Sequence, residues 1–362
     1  MNKIFCTLSA LLLLSGCGTT FYTEEDFSSV PKVDAHVHIN SSDSAFEEQA
    51  KKDNFILITL CVDHGDSSSL PLQHEHAVSS SMKYKGKVFY GSTFLFDTAG
   101  YGTFEWINNV QVDIHNASVD GAVALKVWKN IGMTHRDRNG KFIMIDDKPL
   151  VDILNAVSYD GLTLTGHLGE PRNCWLPLDS MTVSSDSSYF ARHPEYHMYL
   201  HPEYPSYEEQ IAARDHLLDL LPGIRFVGCH LASLEYNVDS LAKRLDRFPN
   251  LAVDISARIC HLQYQSAKER EKVREFIIKY QDRIIYGTDI GWDGTGNREK
   301  FMTRMNETWR DDWKYLVTEK EMTSDKFSGT FTGLKLPADV VDKVYFGNAV
   351  KWYNLKITKN IQ

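Results

Sequence analysis

The chain has 362 residues, 39 basic and 48 acidic, with a formal net charge of −9 and 14 histidines. A balance of that sign excludes nucleic acid or an anionic membrane surface as the main partner. Without an N-terminal leader, the remaining length suits one large domain with a substantial core.

The leader comes first. Asn2 and Lys3 form a short positive start, Ile4 to Leu14 is apolar, and Leu14-Ser15-Gly16-Cys17 follows. The apolar run is too short to span a bilayer, and small residues before a cysteine suit lipoprotein processing. Residues 1–16 are therefore expected to be a lipoprotein signal peptide, cleaved before Cys17, whose sulfur then carries lipid. Residues 17–30 would be a tether and 31–357 a single folded domain. The expected location is that of an exported bacterial lipoprotein, outer-membrane or periplasm-facing. Four cysteines remain beyond the lipid site, with no CxxC spacing. Cys61, Cys229 and Cys260 lie in or just after apolar runs and read as small buried hydrophobes.

Short apolar runs then alternate with amphipathic stretches. Strands are expected at 32–39, 55–62, 87–94, 122–128, 162–166, 224–229, 251–255 and 283–287, with the clearest helices at 207–221, 235–248 and 267–280. Strands alternating with helices imply right-handed crossovers and a parallel sheet, and eight such units fit an α/β fold of the closed (β/α)8, or TIM-barrel, type. An open doubly wound sheet would carry a glycine-rich phosphate turn after the first strand, and none is present. Two stretches break the beat. Residues 168–206, roughly 40 residues, far exceed a normal βα loop and read as a lid or substrate wall. They are crowded with Trp175, Tyr189, Phe190, Tyr196, Tyr199, Tyr204 and several histidines. Residues 291–336 form a second insertion after the eighth strand, carrying Trp292, Trp309 and Trp313. Residues 140–145 read as a small hairpin.

Chemistry concentrates where strands end. In Asp34-Ala35-His36-Val37-His38 the histidines stand two apart, so on a strand they point the same way, with Val33, Ala35 and Val37 on the other face. Paired imidazoles on a rigid strand end suit a divalent transition metal. His167 ends the fifth strand, His230 the sixth, and Asp289 follows the eighth. Barrel strand ends converge on one mouth, so these residues should meet despite their separation in sequence. A single strand histidine is usually a satisfied core residue, but that does not explain the same strand end each time.

Five phrases, in order, carry a family likeness: Val33-Asp34-Ala35-His36-Val37-His38, Thr165-Gly166-His167-Leu168-Gly169-Glu170, Phe226-Val227-Gly228-Cys229-His230-Leu231, Tyr286-Gly287-Thr288-Asp289 and Phe346-Gly347-Asn348-Ala349. From Val33 to Leu355 the chain resembles the amidohydrolase superfamily, in the branch of carboxymuconate-semialdehyde and resorcylate decarboxylases, hydratases and dicarboxylate lactonases. The resemblance implies one divalent metal, most often zinc, held by His36, His38, His167 and Asp289, with a bound water made nucleophilic. Asp289 would double as general base. His230 would polarise a substrate carbonyl or donate a proton, or else ligate a second metal. Lys126 would be a carboxylated lysine bridging two ions, or an ammonium paired with Asp289, Glu170 or a substrate carboxylate.

Glu170, Arg172, Trp128, Trp175 and Arg258 are the further substrate-binding candidates. An arginine suits a carboxylate or hydroxyls, while the aromatic rings, Tyr196 included, suit either a flat substrate face or lid packing. His64 and His261 are weaker mouth candidates, whereas His74, His76, His115 and His216 fall in helical stretches. The expected activity is metal-dependent hydrolysis of a small polar lactone, ester or amide, carbohydrate-derived molecules included. A non-oxidative decarboxylase and a catalytically inactive binding lipoprotein are the alternatives. The expected partners are a small-molecule substrate and the lipid anchor, with a homodimer left open.

Overall fold

A computed structural model of the protein describes residues 19–65 and 68–357; the leader and Cys17 lie outside the described residues. Eight parallel strands follow the expected beat: β1 (Lys32–Ile39), β2 (Phe55–Leu60), β3 (Val88–Ser92), β4 (Ala124–Val127), β5 (Thr163–Gly166), β6 (Phe226–Gly228), β7 (Leu251–Asp254) and β8 (Ile284–Ile285). A ninth, β9 (Ile290–Trp292), follows β8 after four residues, and the sheet order is β8-β7-β6-β5-β4-β3-β2-β1-β9. Its two ends are thus consecutive pieces of chain. β8 pairs with β7, β9 pairs with β1, and the Ala35 N–H reaches the Tyr286 carbonyl at 3.0 Å. The sheet is curled, consistent with a TIM barrel.

One detail of β1 differs from simple alternation. Val33 and Ala35 lie in an inner layer with Ile56, Ile58, Ala124, Val227, Ala252 and Ile285, closed below by Trp352 and Tyr353. Val37 and Ile39 lie instead in the outer layer under the helices. The register with β2 shifts between Asp34 and Val37. A bulge adds one residue to a strand and exchanges its faces, so Val37 does not share a face with Val33 and Ala35.

Helices Tyr207–Leu220 and Val238–Arg247 occupy the expected stretches, while the third, Ile259–Lys279, starts eight residues before the expected 267 and is kinked at Glu269. The first begins with a capping box in which Ser206 and Glu209 satisfy each other's backbone N–H groups. Residues 168–206 fold into four short 3-10 turns and helix Ser184–Arg192. The stretch at 140–145 makes one antiparallel bridge, Arg136 with Phe142, rather than a full hairpin. All four described cysteines are free and buried. No helix among the described residues is long and apolar enough to cross a membrane.

The second insertion supplies helix Arg298–Val317, which buries Trp309 flat against Phe55 with ring centroids 4.1 Å apart. The same helix carries buried Asp312, which accepts a hydrogen bond from the Tyr286 hydroxyl at 2.8 Å. Burial pushes the Asp312 carboxyl up from 3.8 to about 7. The folded state therefore keeps a proton that the unfolded chain releases, and this contribution to stability is lost as pH rises through about 7. Asp312→Asn should raise Tm at pH 8, by the equivalent of roughly 2–4 kcal/mol, and change little near pH 4. Thermal melts at both pH values check this; equal shifts at the two would show that charge burial is not the cause.

Candidate active site

The β1 bulge matters because it aims both histidines into the barrel mouth. His36 Nε2 and His38 Nε2 lie 3.2 and 3.1 Å from one oxygen, Asp289 Oδ1. Two imidazole nitrogens around one carboxylate oxygen at these spacings match neighbouring ligands of a single ion. Among the described residues, His36, His230 and Asp289 also form a group whose ligand atoms lie within 4.8 Å of one another. The His167 ring centroid is 4.4 Å from that of His230, and His167 Nε2 is buried, with Glu170 Oε2 3.4 Å away. His230, read from the resemblance as electrophile or second-metal ligand, thus sits as close to the group as the expected ligands do.

The other nitrogens of these rings are anchored. His38 Nδ1 meets the Leu60 carbonyl at 2.8 Å, and His36 Nδ1 meets Asp254 Oδ2 at 3.0 Å. Asp254 Oδ1 also accepts the His230 backbone N–H at 2.8 Å, and His230 Nδ1 lies 2.9 Å from the Ser256 carbonyl. Such outer partners fix ring orientation and leave the remaining nitrogens for a metal. Sequence reading missed Asp254 and Ser256, although the rule applied to the histidines, a polar side chain ending a strand, also applies to Asp254.

His230 opens four successive left-handed residues, His230 to Ser233, with φ between 54° and 59°. Asp289 is left-handed too, with φ 67°. Each such non-glycine residue is disfavoured by about 1–2 kcal/mol, so the surroundings must hold it there. The Ser233 hydroxyl does so by donating to the Leu168 and Gly169 carbonyls at 3.0 and 2.8 Å.

The electrostatics suit a cation. Burial lowers the pKa of His36, takes His230 well below its usual value, and takes His167 down to about 4. Burial opposes ionisation of Asp289, but His36, His230 and His38 outweigh it and hold its carboxyl well below the usual range. Neutral imidazoles beside an ionised carboxylate are the donor forms that a divalent metal requires. With this donor set these residues fit a divalent ion, although His167 Nε2 also faces Glu170 at 3.4 Å.

Lys126 differs from the expectation of a carboxylate partner. Its Nζ lies 2.9 Å from Cys229 Sγ and 3.3 Å from His36 Nε2. Lys129 is the lysine that pairs with Glu170, and sequence reading missed it. Lys126 lies inside β4, level with the end of β6, whereas Lys129 follows the strand and reaches the rim where Glu170 sits. Arg258 approaches Glu170 at 3.7 Å, and its own Nε is buried without a partner.

The mouth encloses a cavity of about 650 Å³ lined by His36, His38, His64, Lys126, Trp128, Lys129, His167, Glu170, Tyr189, Arg258 and Asp289 among others. Arg172 and Trp175 do not line it. The Arg172 guanidinium lies 4.7 Å from the Tyr236 ring centroid, and Trp175 packs on Tyr207 at 5.4 Å. Both therefore hold the lid to its neighbours. Tyr196 contributes the face of its ring, 4.2 Å from Lys129 Nζ, and His261 meets Asp186 of the lid at 3.2 Å. A larger cavity, about 860 Å³, lies beneath the second insertion and shares Ala257, Cys260 and Lys326 with the first. It holds none of the clustered histidines.

A curled parallel sheet with imidazoles and a carboxylate at its strand ends defines a metal-binding barrel of the enzyme type. The family model described as Amidohydrolase matches residues 167–355, more than half of the chain, and the chain belongs to that family. No curated protein matches it. Among solved structures, 2,6-dihydroxybenzoate decarboxylase from Rhizobium is similar at 12% identity and TM-score 0.52, over 90% of this chain and 99% of that one. A 5-carboxyvanillate decarboxylase from Novosphingobium aromaticivorans, complexed with manganese and 4-hydroxy-3-methoxy-5-nitrobenzoic acid, is similar at 12% identity and TM-score 0.51, over 91% and 97%. A TIM-barrel protein from Bordetella bronchiseptica gives 12% and 0.51, over 90% and 99%. At that identity the shared property is the fold.

Proposed function

We propose that the protein is a metal-dependent, non-oxidative decarboxylase of a small carboxylate with a planar face. The observation that carries this is the composition of the 650 Å³ cavity: the His–Asp group lies in one chamber with Trp128, Tyr189, Lys129 and Arg258. Aromatic faces suit a flat ring, and Arg258, whose Nε has no hydrogen-bond partner, suits its anionic group. Decarboxylases from Rhizobium and Novosphingobium share the fold and support a lyase over a hydrolase.

His36, His38, His167 and Asp289 would hold one ion, with His230 beside them or as a further ligand. Three imidazoles and a carboxylate suit zinc, while the Novosphingobium relative holds manganese. Either ion would supply Lewis-acid binding for the carboxylate and an adjacent oxygen. Asp289, ionised at rest, would first take a proton from a substrate hydroxyl or from water and then pass it to the carbon that loses carbon dioxide; the electron pair of the breaking carbon–carbon bond takes up that proton as carbon dioxide leaves. Lys126, between Cys229 and His36, would keep positive charge near the departing group. A second reading, hydrolysis of a lactone, ester or amide, draws on the ionised state of Asp289, which suits a base acting on water. Export and lipid attachment through Cys17 belong to the proposal on sequence grounds alone.

The test is to incubate metal-loaded protein with 2,6-dihydroxybenzoate, 5-carboxyvanillate and a panel of sugar lactones. Release of carbon dioxide without a new titratable acid is the expected result. Acid release from a lactone without carbon dioxide would replace this reading with the second.

A further inference from the structure

We propose that Trp309, on the helix inserted after the eighth strand, is a positioning residue for the His36–Asp289 centre, acting through Asp34 and Thr288. The inference rests on reading His36 and Asp289 as metal ligands. Asp34 is fully buried, and four donors converge on its carboxylate. Oδ2 accepts the Trp309 indole N–H at 2.9 Å and the Thr288 hydroxyl at 2.7 Å. Oδ1 accepts the Thr288 backbone N–H at 3.0 Å and the His36 backbone N–H at 3.3 Å. One carboxylate therefore ties the backbone of the first histidine to the residue directly before Asp289.

That tie falls where the backbone most needs one. Asp289 has φ 67°, a conformation that a non-glycine residue keeps only when its neighbours determine it. Its N–H donates to the His36 carbonyl at 2.7 Å, so the two candidate ligands share one local frame. Trp309 sets the orientation of the Asp34 carboxylate in that frame. Its indole is itself fixed by stacking on Phe55, with rings inclined by 15°. Without the indole N–H, Oδ2 keeps one donor of two, the carboxylate turns, and Thr288 and Asp289 lose their fixed angle to His36. Trp309 is fully buried and lines neither cavity. Its effect on the centre can therefore pass only through the protein.

The experiment loads the full chain with cobalt(II) and compares Trp309→Phe with Trp313→Phe. The first keeps an aromatic ring on Phe55 and removes the N–H. The second removes an equally buried indole N–H on the same helix, one that donates to the Thr23 carbonyl at 2.9 Å. Both variants should lower Tm to a similar degree. Only Trp309→Phe should weaken cobalt affinity, by about tenfold, and shift the visible cobalt absorption. Thr288→Val, which removes the intermediate hydroxyl, should reproduce that shift. Indistinguishable cobalt spectra and affinities for the two tryptophan variants would overturn the proposal, as would a wild-type chain that binds no cobalt. A wild-type chain that binds cobalt but decarboxylates nothing would count against the proposed reaction and leave the positioning result readable.

Discussion

Asp289→Asn should cut turnover by about a thousandfold or more while leaving the protein folded. The substitution keeps the side-chain volume and one oxygen facing His36 and His38, so the packing of the mouth is preserved. What it removes is charge. Asp289 Oδ1 stands between the two Nε2 atoms, and the carboxyl is held ionised by the imidazoles around it. An amide offers a weaker ligand and cannot carry a proton in either proposed reaction. The side chain is about one-third exposed, so the isosteric amide fits without repacking its neighbours. Steady-state kinetics and elemental analysis of the purified variant check this together. Retention of a tenth or more of wild-type activity would remove Asp289 as the proton carrier.

Lys129→Met should cost roughly 3–5 kcal/mol of stability, since it strands a buried carboxylate. Lys129 and Glu170 are paired with both side chains at most 5% exposed. The ammonium also lies 4.2 Å from the Tyr196 ring centroid and 3.5 Å from the Tyr189 hydroxyl, both on the lid. Glu170 would keep only the neutral His167 imidazole at 3.4 Å and Arg258 at 3.7 Å, and it is held ionised mainly against burial by Lys129. The double variant Lys129→Met/Glu170→Gln should recover most of the loss, because the uncompensated charge is gone. Urea unfolding of the single and double variants measures this. A single-variant loss below about 1 kcal/mol would mean that the pair does not tie lid to barrel.

Sequence reading went furthest where local pattern acts alone. All eight strands lie within the expected ranges because strands buried on both faces are short continuous apolar runs, and helix Tyr207–Leu220 begins at its capping box. The strand-end histidines and Asp289 were legible for the same reason: a parallel barrel sends every strand terminus to one mouth. Asp254 obeys that rule as well but was passed over, since an acidic residue after an apolar run is common and gives no metal-ligand spacing to notice.

Tertiary structure alone decided which face of β1 carries the histidines, which lysine meets Glu170, and where Arg172 and Trp175 point. The bulge at Asp34–Val37 answers to pairing with β2 and leaves the apolar pattern of β1 unchanged. Lys126 and Lys129 are three residues apart and chemically identical, so only their depth relative to the rim separates their partners. The arginine and tryptophan of the lid are claimed by Tyr236 and Tyr207, residues more than 30 positions away. Local pattern reports what each segment buries; the choice of partner depends on distances between segments, and these exist only once the sheet has curled.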